Sequence, residues 1–250
     1  MPDRIGGLPL NPVITTLAAR LAVDLPRGRR ALVGVDGVDG SGKTTFSAAL
    51  APALAAAAGR PVLLVHLDGF LNPSAVRHRR GRRSPEGFWL DTYDHAAFHE
   101  FILAPLGPGG DGGYRAASYD PAADAVRPAE QRQAPEDAVV MVEGMFLHRD
   151  GLHGRWNFSV FLDVPFTETA RRMALRDGTH PDPEHPTMRR YVQGQRLYLQ
   201  AADPRSRADV VVTDTGTDTG AARILRDRSR SFPPGAAPLS NAGSPTQGDR

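Results

Sequence analysis

The chain has one lysine in 250 residues, Lys43, and it lies in Gly37-Val38-Asp39-Gly40-Ser41-Gly42-Lys43-Thr44, an unbroken G-x-x-x-x-G-K-[ST] run. Such a loop works only between a strand and a helix, which limits the fold to strand and helix units layered around a sheet. Both flanks comply: Ala31-Leu32-Val33-Gly34-Val35 reads as a buried strand, and Thr45-Phe46-Ser47-Ala48-Ala49-Leu50 begins a helix. Glycines let successive backbone N–H groups turn towards phosphate oxygens, and the helix N-terminus adds partial positive charge. Gly37 to Thr45 are therefore expected to hold a nucleoside triphosphate. Lys43 would reach its β- and γ-phosphates, the Thr44 hydroxyl would bind Mg²⁺, and Thr45 would lie against a phosphate.

A chain of this length with 40% hydrophobic residues can fill the core of one large α/β domain. The absence of cysteine excludes disulfides and thiolate metal sites and fits a reducing compartment, so a cytoplasmic location is expected. Met1 to Gly7 lack the apolar core of a signal peptide, and no run of 18 apolar residues follows, so no membrane association is expected. Thirty basic residues against 28 acidic ones give a net charge of +2, too balanced to argue for nucleic-acid binding.

Asn11 to Leu25 carries a helical stripe of Val13, Ile14, Leu17, Ala18, Leu21 and Leu25, with Asn11 as its expected cap, so residues 1–29 read as an N-terminal helical segment. The main domain is expected over 30–214. It contains a helix from the phosphate loop to Ala58, a buried strand over Pro61 to Leu67, an irregular stretch over 69–92 and a helix from Tyr93 to Leu106. Extended pieces at Tyr114 to Tyr119 and Ala125 to Arg127 suggest a peripheral hairpin. Strands follow at Val139 to Val142, Phe158 to Asp163 and Ala208 to Val212, with helices from Pro165 to Arg176 and around Met188 to Ala202. A breaker-rich segment near 177–187 reads as a small lid. Residues 215–250, poor in large apolar side chains, are expected to form a disordered tail with at most a short strand or helix near Arg223 to Arg226.

Other residues choose among the chemistries that share such a loop. A guanine-reading Asn-Lys-x-Asp motif needs a second lysine, which the chain lacks, and no Leu-Ser-Gly-Gly transporter signature is present. Asp68, at the end of the second strand in His66-Leu67-Asp68-Gly69-Phe70, is placed as a general base for an acceptor hydroxyl and as a further candidate near the metal. Glu143, in Met141-Val142-Glu143-Gly144, ends the third core strand and is the candidate Mg²⁺ partner. Arg172 and Arg176, spaced i,i+4, are candidate clamps on the transferring phosphoryl group, with a solvated helix face beside Glu168 as the alternative. Arg196 and Tyr198 either close over the nucleotide or form the polar and apolar sides of one helix.

In this order the glycine loop, the strand-end Asp68 before an aromatic, Tyr93-Asp94-His95 and Val142-Glu143-Gly144 resemble the uridine kinase and phosphoribulokinase branch of P-loop kinases, over roughly residues 30–212. The resemblance implies a three-layer P-loop NTPase fold with a mainly parallel central sheet, helices on both faces and a small lid. It implies ATP as donor, Mg²⁺ as cofactor, and phosphoryl transfer to a hydroxyl of a small metabolite, a nucleoside first. It matches Asp68 to the catalytic base, Glu143 to the Mg²⁺-associated glutamate, Arg172 and Arg176 to phosphate-contacting arginines, and Asp94 to a ribose-binding aspartate, for which a helix-terminal charge is the alternative. Tyr119-Asp120 matches a substrate-side pair, but the position of the pyrimidine-reading histidine holds Asp124, and the lid lacks the family's glycine-arginine pattern. Kinases of nicotinamide riboside, pantothenate or glycerate are the related alternatives.

Five arginines among Arg77-His78-Arg79-Arg80-Gly81-Arg82-Arg83 support a reading from another class, a non-catalytic nucleotide sensor with a nucleic-acid-contacting loop. A solvated loop beside the acceptor site is preferred, since no aromatics are interleaved for stacking. His66, His95 and His99 are expected in structural or substrate-contact roles rather than as zinc ligands. The expected partner is a small-molecule acceptor, with self-association left open.

Overall fold

A computed structural model describes residues 12–213 and 223–228, with the backbone of 4–5 and 8–9. Six strands form the main sheet: β1 (Ala31–Gly37), β2 (Val62–His66), β3 (Val139–Gly144), β4 (Phe158–Leu162), β5 (Val210–Thr213) and β6 (Arg223–Asp227). Their order is β2-β3-β1-β4-β5-β6, parallel throughout except for β6, which runs antiparallel to β5.

The apolar runs explain this placement. β1, β3 and β4 are buried at every position, as strands covered on both faces must be. Side chains alternate, so Val33, Val35, Met141 and Val160 face α1 (Pro12–Asp24) and α2 (Lys43–Ala58). Leu32, Val140 and Val142 face the opposite layer, where Phe70, Phe88, Tyr93, Phe98, Phe146 and Tyr198 pack. That layer draws on α3 (Pro85–Asp91) and α5 (Arg189–Ala202), while α4 (Phe166–Asp177) follows β4. Helices thus flank a mainly parallel sheet, the three-layer α/β arrangement expected.

Several expectations need correction or refinement. The strand over 61–67, read as buried, is an edge strand with partly covered residues and an exposed His66, because β2 has a neighbour on one side only. The stretch 69–92 is not wholly irregular: α3 starts at Pro85, and the Ser84 hydroxyl caps it by accepting from Gly87 N at 3.0 Å. The helix expected from Tyr93 to Leu106 begins at His95 and carries a π-turn over His99–Leu103. The peripheral hairpin is double: Tyr119–Asp120 pairs with Ala125–Val126, and Gly113–Arg115 pairs with Gln131–Gln133.

α1 is not set apart from the domain, since Ile14, Leu17 and Leu21 are fully or nearly fully buried in one core with α2 and the sheet. Residues 223–227, beyond the expected domain limit, supply β6, and Arg20 of α1 pairs with Asp227 of that strand. Asn11, the expected cap of α1, and the rest of the expected tail lie outside the described residues. Between α4 and α5, residues 178–188 make turns, with the His180 and His185 rings stacked at 3.7 Å and Glu184 paired to Arg196.

Candidate active site

The parallel strands bring three sequence-distant segments to one edge of the sheet. β1 runs into the loop Val38 to Gly42, β2 into the tight turn Leu67–Phe70, and β3 ends at Gly144. Strand register sets Glu143 opposite Val35 on one side and His66 on the other. This is the carboxyl edge, where open α/β sheets hold their ligands.

Gly40 and Gly42 take left-handed φ values of 74° and 91°, which side chains disfavour, so the loop curls back over the start of α2. Lys43 Nζ donates to Val38 O at 3.0 Å across that curl. Asp39 N is held by Gln195 of α5, and Arg176 of α4 comes within 3.7 Å of Asp39 Oδ1 while also pairing with Asp177. Arg176 thus faces the loop. Arg172 pairs with Glu168 at 2.6 Å, so it is turned along its own helix. Glu168 is lowered to about 2 by its hydrogen bonds from Arg171 and Arg172, which outweigh burial.

Thr44 Oγ1 donates to Glu143 Oε1 at 3.0 Å, and His66 Nδ1 is 2.7 Å from the same oxygen. A hydroxyl and a nearly buried carboxylate are hard oxygen donors of the kind that suit Mg²⁺. No group of three or more His, Asp or Glu side chains able to hold a metal ion occurs among the described residues. That is compatible with an ion completed by phosphate and water oxygens.

Asp68 sits in the turn after β2, where Tyr93 donates its hydroxyl to Asp68 Oδ1 at 2.7 Å. Burial, then the charge of Asp68, push the Tyr93 phenol well above its ordinary range, with Asp39 and Glu143 adding to the rise. Tyr93 therefore remains a donor, and the acids of all three segments act on it together. Asp68, Tyr93, Thr92, Met145, Phe88 and Tyr191 are among the walls of a cavity of 190 Å³ that also receives Arg77, His78 and Arg190.

Other expected residues lie elsewhere. Asp94 Oδ1 accepts from Ala97 N at 2.9 Å and caps the helix at His95; Asp94 is not among the residues lining the cavity. Tyr119 is linked to the cavity through Arg77, which donates to its hydroxyl at 3.2 Å, while Tyr119 donates to Asp124 Oδ1 at 2.7 Å. The arginine run is solvated as expected at Arg79, Arg80, Arg82 and Arg83, which are exposed, while Arg77 is partly buried. Arg79 and Arg80 both bond Asp91, a fully buried carboxylate, and Arg77 donates to Asn72 O. Tyr198 lies on the apolar side of α5, and Arg196 on its polar side.

Sequence reasoning missed three contacts. Tyr93 was passed over in favour of its neighbour Asp94. His66 was placed in a buried strand, away from Glu143. Asp36, at the end of β1, is buried and accepts from Gly37 N at 2.7 Å, from His148 N at 3.1 Å and from the Tyr198 hydroxyl, with His148 Nδ1 at 2.7 Å. An acid between Val35 and Gly37 in an apolar strand was the available signal for that cluster.

No protein-family model matches the chain. A pantothenate kinase from Leifsonia xyli is 27% identical over 213 residues, spanning 80% of this chain and 63% of that protein. The chain therefore covers just under two thirds of that relative's length. A solved structure of a possible uridine kinase from Bacillus stearothermophilus superposes with a TM-score of 0.62 at 22% identity, over 80% of this chain and 97% of that one. A candidate fructose transport system kinase from Silicibacter sp. TM1040 gives 0.62 at 27% identity, over 76% and 95%. The phosphoribulokinase of Rhodobacter spheroides shares the fold at 0.53 and 12% identity, over 79% and 81%. The chain thus shares the three-layer α/β fold of these P-loop kinases.

Proposed function

We propose that the protein is a Mg²⁺- and ATP-dependent kinase that transfers the γ-phosphoryl group to a hydroxyl of a small metabolite. The observation that carries this reading is the placement of Asp68, held by Tyr93 at 2.7 Å, in a cavity on the same sheet edge as the phosphate loop. Binding a nucleotide alone would need no such base.

Loop N–H groups and Lys43 bind the triphosphate, with Thr44 and Glu143 as the residues for Mg²⁺. When bound, the ion neutralises charge on the β- and γ-phosphates. An acceptor hydroxyl in the cavity gives its proton to Asp68 as its oxygen bonds to the γ-phosphorus. The bond from that phosphorus to the β–γ bridging oxygen breaks, and ADP leaves. Arg176, beside Asp39, supplies positive charge to the moving phosphoryl group, and Arg172 does so if it swings from Glu168. The segment near 177–187 closes over the nucleotide as a lid, and Tyr119 acts from the substrate side through Arg77.

The order of motifs favours a nucleoside 5′-hydroxyl, whereas the curated relatives named as pantothenate kinases favour a hydroxy acid. ADP formation with Mg²⁺-ATP should be measured across uridine, cytidine, nicotinamide riboside, pantothenate and glycerate. One acceptor should turn over, with Asp68→Asn losing at least a hundredfold in kcat while still binding ATP. Equal turnover by Asp68→Asn would refute the base assignment.

A further inference from the structure

We propose that the cavity beside Asp68 selects an acceptor bearing an anionic group as well as the reacting hydroxyl, with Arg190, Arg77 and His78 as the anion-binding side. The inference rests on the kinase reading, because it takes this cavity as the acceptor site.

Among the residues that line the cavity, Asp68 is the only carboxylate, against two arginines and a histidine. Arg190 is 8% exposed, and its donors reach Arg77 O at 3.0 Å, Arg82 O at 3.1 Å and Gly81 O at 3.3 Å. Carbonyls fix a guanidinium in place but leave its charge unmatched. Asp91, an acid that acts on Arg190, is already shared by Arg79 and Arg80. Arg77 has Asp124 at 3.7 Å, but that carboxylate is also bonded by Ser74 and Tyr119. The surplus is felt at His78, which is lowered first by burial and then by the charges of Arg190, Arg82 and Arg77.

A neutral acceptor would dehydrate this cationic wall without compensating it, whereas a carboxylate or phosphate would neutralise it and accept charge-assisted hydrogen bonds. Phe88 and Tyr191, edge to face at 5.2 Å, give the body of the molecule an apolar surface. The substrate class is thus a small hydroxy acid or a phosphorylated alcohol. Asp124, where a base-reading side chain would stand, is occupied by Ser74 and Tyr119 instead.

The full chain should be assayed for ADP formation with matched acceptors: glycerate against glycerol and pantothenate against pantothenyl alcohol. Ribulose 5-phosphate provides the phosphate arm, and uridine a neutral one. At least one anion should exceed its neutral counterpart tenfold or more in kcat/KM. His78→Glu should erase that preference while leaving the KM for ATP and the melting temperature unchanged. Equal use of a matched pair, or uridine as the best acceptor, would overturn the inference while leaving the kinase reading intact. Independently of turnover, inorganic sulfate should shift the His78 ring resonances saturably in wild type and at least tenfold more weakly in Arg77→Gln. Absence of that shift would also overturn it, even if every acceptor stays silent, a result that counts against the kinase reading instead.

Discussion

Asp68 owes its orientation to a phenol 25 residues further along the chain. Removing that hydroxyl in Tyr93→Phe keeps the ring in the aromatic layer but releases the carboxylate, at a cost of about 1.5 kcal/mol for a hydrogen bond to a charged group. Steady-state kinetics should show kcat lower by roughly tenfold with the KM for ATP unchanged. An unaltered kcat would mean that Asp68 needs no help from Tyr93. Lys43 could be singled out from sequence by the glycine-loop motif, and Asp68 and Glu143 because each sits at or just past the end of an apolar run, where strand ends are legible. Tyr93 and His66 could not be assigned their contacts, since His66 meets Glu143 across 77 residues and only strand register brings them together. Asp36, His148 and Tyr198 are separated by 112 and 162 residues and are invisible to local pattern for the same reason.

At the scale of elements, a helix expected merely to lead into the domain turns out to be part of its core. Leu17 on α1 is fully buried against α2 and the sheet, so Leu17→Ala should destabilise the fold by about 3 kcal/mol, counting both lost transfer energy and the cavity left behind. Urea unfolding would measure this, and a loss below 1 kcal/mol would show that α1 is peripheral. The strands β1, β3 and β4 and the long helices were readable because their burial is complete or one-sided, which leaves a clean apolar pattern. The short α3 was not, because the arginines, glycine and proline before it resemble loop composition, although Ser84-Pro85 is a sound helix start. β6 eluded assignment as a sheet strand because it is a short edge strand with only Ile224 packed against the core and Leu225 exposed, and its pairing depends on β5 being in place.

For the whole molecule, His95 sets part of the dependence of stability on acidity. Burial and the nearby Arg149 lower it to about 4, and its Nε2 lies 2.6 Å from Arg149 Nη1, so the folded ring is neutral and accepts. The unfolded chain takes up this proton near pH 6.5, earlier than the folded one. The contribution of His95 is therefore intact above 6.5 and declines as pH falls towards 4, by up to about 3 kcal/mol. Urea midpoints between pH 7.5 and 4.5 should fall less steeply for His95→Gln than for wild type. Parallel slopes would remove His95 as the cause. The strand order has a further effect, on biogenesis. β1 is made early, yet its neighbours are β3 and β4, the latter complete only at Leu162. At ribosomal rates of about 5–20 residues per second, this fully buried strand waits on the order of ten seconds for its second partner. Until then at least one of its edges is open, so a nascent chain stalled before that point exposes an unpaired strand edge. The inner position that places the phosphate loop thus leaves the newborn polypeptide with an unpaired strand edge for longer than a pairing between sequence neighbours would.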